Sequence, residues 1–106
     1  MPDVPWKPAD TTAVVAQFER DLNQLSPEQR AWLERRRIPP RRIRVAAEAP
    51  SSVVAVAEVS GAVLYWSDIE CGWEVANLSP AGAIAERGSS QFTLAQAVYE
   101  WQSQES

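Results

Sequence analysis

The side chains able to do chemistry are few. Among 106 residues there is one cysteine, Cys71, and no histidine. The lack of His removes the His-dependent triads, the usual general base near neutral pH and every zinc site that needs imidazole. As a nucleophile Cys71 would need a base and a setting that stabilises the thiolate. Its neighbours Asp68, Glu70 and Glu74 are acidic and would raise its pKa, so it reads as an ordinary small side chain at a turn. Those three carboxylates, with Tyr65 and Trp66 just upstream and Trp73 between them, form an acidic, aromatic stretch. Paired carboxylates can perform glycosidic acid–base work or hold a hard cation. The first needs a substrate cleft that one small sheet seldom makes. The second needs oxygen ligands at a spacing that Asp68-Ile69-Glu70-Cys71-Gly72-Trp73-Glu74 does not offer. No phosphate-cradling glycine motif occurs, and the chain has only four Gly. We therefore expect no catalytic residue, no bound metal and no cofactor. Trp66, Asp68, Glu70, Trp73 and Glu74 are the candidate surface for binding a protein partner.

A second feature is basic. Residues 30–44 carry seven Arg (Arg30, Arg35, Arg36, Arg37, Arg41, Arg42 and Arg44) against Glu34, a net of +6. Residues 1–29 carry −3 and residues 45–106 carry −7. A compact belt of Arg thus lies on an otherwise acidic chain whose net charge is −4. Such asymmetry governs association and steering rather than fold. The belt could contact nucleic-acid phosphates, guard a helix end and a sheet edge, or pair with the chain's own acids. No helix-turn-helix, zinc-finger or other recognition signature accompanies it, so the structural readings rank first. A small nucleic-acid-binding regulator acting through Arg30–Arg44 is the alternative function.

The elements that must position these residues can be read from periodicity. Pro2, Pro5 and Pro8 make residues 1–10 an extended arm, in which Trp6 is expected to pin the arm to the body. A helix should begin near Asp10 or Thr11, with Val15, Phe18, Leu22 and Leu25 along one stripe. A second should open at Ser26-Pro27-Glu28-Gln29, a capping box with proline at the first helical position. It carries Trp32 and Leu33 and ends at Pro39-Pro40, with Arg35, Arg36 and Arg37 in its last turn. From Arg41 the period changes to two, giving strands over Arg41–Glu48, Val53–Val59, Ala62–Ser67, Trp73–Leu78 and Ala83–Arg87. Ser60-Gly61 and Ser79-Pro80-Ala81-Gly82 are turns. Thr93-Leu94-Ala95-Gln96 opens a last helix with Leu94, Ala97, Val98 and Trp101 on one face. The expected fold is α+β in a single domain. An antiparallel sheet of four to five strands, about residues 41–87, carries two N-terminal helices and one C-terminal helix mainly on one face. The N-terminus lacks a basic, apolar leader and no stretch approaches the length of a membrane span, so a cytoplasmic location is expected.

Parts of this text resemble small bacterial immunity proteins, which sit beside polymorphic or contact-dependent growth-inhibition toxins. The resemblance lies in Tyr65-Trp66-Ser67-Asp68-Ile69-Glu70-Cys71-Gly72-Trp73-Glu74, Gly82-Ala83-Ile84, Glu86-Arg87-Gly88, Gln91-Phe92-Thr93-Leu94 and Ala97 to Trp101. It is an acidic, Trp-rich meander with G-x-I-x-x-R-G, then Q-x-x-L opening a terminal helix, over residues 62–101. It implies stoichiometric binding that blocks a cognate toxin domain, and the acidity of the chain, read on its own, suits a toxin partner with a basic surface. It assigns no individual residue a role.

Overall fold

A computed structural model describes residues 11–48, 52–67, 71–85 and 92–104. Three α-helices and four strands follow in the order α1 (Thr11–Leu22), α2 (Pro27–Glu34), β1 (Arg37–Arg44), β2 (Ser52–Val59), β3 (Ala62–Ser67), β4 (Gly72–Asn77) and α3 (Leu94–Gln104), with a 3-10 turn at Ala46–Glu48. The strands form one sheet in the order β1-β2-β3-β4, each pair antiparallel. The fold is α+β, with two helices before the sheet and one after it. The arm over residues 1–10, with Trp6 and Asp10, lies outside the described residues. Among the described residues no helix is long and apolar enough to cross a membrane.

Local chemistry explains the element ends. The Ser26 hydroxyl accepts from the Gln29 backbone N–H at 3.1 Å, and the Gln29 side chain accepts from the Ser26 N–H at 3.3 Å. Thr93 and Gln96 repeat the arrangement before α3, at 3.2 and 2.9 Å. Each box satisfies two of the backbone donors that a helix start leaves unpaired. Ser60 and Gly61 join β2 to β3 with φ of 48° and 83°, the pair of positive values that a two-residue hairpin turn requires. At the next turn Gly82 N–H donates to the Ser79 carbonyl at 2.8 Å, and Gly82 takes φ 76°.

The sheet is buried on both faces. Val54, Val56, Ala57, Leu64 and Trp73 meet α1, α2 and α3 in one core, with Val14, Phe18, Leu22, Leu33, Leu94, Val98 and Trp101. Val53, Ala55, Val63 and Tyr65 form a second core on the opposite face, with Ile43, Val45 and Ile84. A bulge in β2 adds to the first core. Pairing steps from Ala55↔Tyr65 to Ala57↔Leu64, so Val56 and Ala57 both fall opposite Leu64 and both join the helix side.

Three expectations are corrected. Val14, not Val15, joins the buried stripe of α1 with Phe18 and Leu22. Helix α2 ends at Glu34, so Arg35 caps it and Arg37 already belongs to β1. Pro39 and Pro40 do not separate helix from strand. They lie inside β1, where pairing jumps from Arg37↔Ala57 to Arg41↔Ala55. An edge strand tolerates proline because its outward side needs no donor. Of the expected fifth strand, the described part gives only a parallel bridge between Ile84 and Val45 beside the end of β1. Phe92 makes a matching antiparallel bridge to Trp73 in the other outer strand.

Candidate functional site

Much of the basic belt is engaged within the chain, although Arg35, Arg41, Arg42 and Arg44 stay exposed. Arg30 Nε lies 3.7 Å from Glu34 Oε2, and Arg41 Nη2 lies 3.4 Å from Glu58 Oε1. Arg37 pairs with Glu19 of α1 and with Glu34, and its guanidinium stands 5.0 Å from the Phe18 ring centre. The Glu19 hydrogen bond, aided by both carboxylates and opposed by partial burial, raises the Arg37 pKa further above its ordinary value. Arg36 donates to the Trp32 carbonyl at 2.9 Å and covers the Trp32 ring at 3.8 Å, and Arg42 donates to Ser52 Oγ at 3.2 Å. These contacts tie α1, α2 and β1 together.

The acidic stretch divides. Trp73 is 1 % exposed and packs against Phe18 (ring centres 5.5 Å apart) and Trp66 (5.1 Å). Glu74, opposite Tyr65 in the sheet, is 6 % exposed. Neither has much area to give a partner, so both leave the set of surface contacts proper. Trp66 is half-buried and keeps part of its ring outward. Asp68 and Glu70 lie outside the described residues. Cys71 is exposed, with φ 55°.

What the structure brings together is a different surface, centred on Phe92. Three shallow clefts share this half-buried ring. The first, about 170 Å³, is lined by Gln17, Asp21 and Gln24 of α1 with Trp66, Cys71, Trp73, Phe92, Thr93 and Leu94. The second is bounded by Phe92, Ala95, Gln96, Tyr99 and Glu100, and Tyr99 is 63 % exposed. The third runs between β4 and α3, where Glu74 and Glu100 line it with Phe92 and Trp101. Asp21 lines the first, Glu100 the second, and Glu74 and Glu100 the third, and none of the described linings contains Lys or Arg. No group of three or more potential metal ligands occurs among the described residues.

Asp21 is held by three hydrogen bonds. Trp73 Nε1 donates to its Oδ2 at 2.8 Å. Gln17 Nε2 donates to both carboxylate oxygens at 3.0 Å, while Arg20 donates to Gln17 Oε1 at 2.9 Å and fixes the sense of the amide. Nothing in the sequence signals this, because Trp73 is 52 positions away. Tyr99 was more legible: an aromatic off the Leu94–Ala97–Val98–Trp101 stripe must face outward. No protein-family model, curated protein or solved structure matches this chain.

Proposed function

We propose that this chain is a non-catalytic binding protein that neutralises a partner with a basic surface, a bacterial toxin domain, as an immunity protein does. One observation carries the reading: the separation of charge by face. Arg30, Arg37 and Arg41 of the belt pair with Glu34, Glu19 and Glu58, while the clefts around Phe92 present carboxylates and aromatic rings without a basic neighbour in their described linings. Aromatic side chains supply binding hot spots, and carboxylates of one sign steer a basic partner to them. The proposed contact set is Trp66, Phe92, Tyr99 and Glu100, with Asp68 and Glu70 added on sequence grounds. The resemblance over residues 62–101 points the same way. The internal pairing of Arg30, Arg37 and Arg41 weighs against the nucleic-acid alternative.

The test uses the product of the neighbouring reading frame. The purified product should bind this chain with one-to-one stoichiometry, and co-expression should protect cells from it. If the product neither binds nor is inhibited, the reading fails and the regulator alternative takes its place.

A further inference from the structure

We infer that the cleft between α1 and the β4 end of the sheet is an anchoring pocket for a guanidinium group, the arginine side chain of the partner. The inference rests on the proposed function for the source of that arginine, but the pocket's chemistry stands on its own geometry. Its volume of about 170 Å³ is several water molecules at roughly 30 Å³ each. It is well short of the roughly 300–1,000 Å³ of sites for drug-sized ligands. It therefore suits a single side chain.

The lining decides which one. Asp21 supplies a half-buried carboxylate held in place before any ligand arrives, by the Trp73 indole at 2.8 Å and the Gln17 amide at 3.0 Å. Those donors occupy Oδ2 twice and Oδ1 once, which leaves acceptor capacity on Oδ1. Gln24 at the rim has an amide oxygen that can take a second donor. Trp66 and Phe92, both half-buried, give the walls π-faces. A carboxylate beside aromatic faces favours a cation, and a flat, weakly hydrated guanidinium stacks on such faces while it donates in its own plane. No Lys or Arg belongs to the described lining to occupy that role from within.

The same indole N–H that orients Asp21 reports on it. The ¹⁵N-labelled protein would be titrated with N-acetyl-arginine amide, following the Trp73 and Trp66 indole signals. N-acetyl-citrulline amide, nearly the same shape without charge, is the control. The expected result is a saturable shift of both indole signals with a millimolar dissociation constant for the arginine probe. Citrulline should bind at least about tenfold more weakly, and Asp21→Asn, checked for an unchanged melting temperature, should weaken arginine binding by a similar factor. Equal shifts with both probes, or no saturable shift of the indole signals in wild type, would overturn the pocket whatever Asp21→Asn does to folding. The neighbouring product separates the two levels of the argument. If arginine binds but that product does not, the proposed function fails and the pocket stands. If the product binds wild type and Asp21→Asn equally, the pocket is not the partner's anchor.

Discussion

Trp101 and Tyr99 lie two positions apart on α3 and carry opposite expectations. Trp101 is 2 % exposed and meets the Trp32 ring nearly edge-on, with centres 5.4 Å apart. It joins α3 to α2. Replacing a core tryptophan with alanine costs about 3–5 kcal/mol, against a total stability of roughly 5–15 kcal/mol. Trp101→Ala should lower the urea midpoint severely, and an unchanged midpoint would show that α3 does not pack as described. Tyr99→Ala should leave stability within about 0.5 kcal/mol, as expected of a surface position. The helical period places Trp101 on the buried stripe from the sequence alone, and the same period is the signal by which Tyr99 could be found. It could not distinguish Trp66 from Trp73. The two are paired across β3 and β4 on the same face, so alternation sends both to the helix side, and only the long-range packing of α1 decides which one is covered in full. Trp73 goes to the core through Phe18 and Asp21, contacts made across about half the chain length and invisible to any local pattern.

At the level of elements, what local chemistry decides was readable and what an edge allows was not. Both capping boxes are present where Ser26 and Thr93 indicated them. Ser26→Ala should cost about 1 kcal/mol in chemical denaturation, the usual worth of a lost N-cap. Strands β2, β3 and β4 follow the apolar runs and turn residues closely. Strand β1 does not, because its first residues are paired at a sheet edge despite Pro39 and Pro40, and the Glu58 N–H donates to the Arg36 carbonyl at 2.9 Å beyond them. Arg37 therefore joins a seam between α1, α2 and β1, while Arg35 caps α2 and Arg36 donates to the Trp32 carbonyl of its last turn. That placement predicts weak interaction with nucleic acid. Labelled duplex or single-stranded oligonucleotide at near-physiological salt should bind no tighter than the non-specific range of about 10⁻⁴–10⁻⁶ M. Tighter binding abolished by Arg41→Ala, Arg42→Ala and Arg44→Ala together would restore the belt as a functional surface.

Among the described residues, the acids of the Phe92 clefts and the exposed Arg42 and Arg44 lie toward opposite edges of the sheet, β4 and β1, and the consequence is kinetic. A basic partner approaching at long range is drawn toward the acids beside Phe92 and repelled by the exposed arginines of β1, while the paired charges largely cancel beyond a few ångströms. The range is set by ionic strength, about 10 Å at 0.1 M salt and about 30 Å at 0.01 M. Steered association between opposite charges falls steeply with salt, while short-range contacts that hold the complex do not. The association rate with a basic partner should therefore drop by at least about tenfold between 0.01 M and 0.2 M salt, with a much smaller change in the dissociation rate. Two variants separate the steps. Glu100→Lys should slow association and flatten its salt dependence, because it reverses a charge beside Phe92 and Tyr99. Tyr99→Ala should leave association nearly unchanged and speed dissociation, because it removes an exposed ring that can be desolvated only in the complex. Arg42→Ala and Arg44→Ala, on the β1 edge, should alter neither rate by more than a few-fold. Stopped-flow mixing with the neighbouring product measures all of these. A salt-independent association rate, or larger effects from the β1 arginines than from Glu100 and Tyr99, would place the docking face on the other side of the molecule.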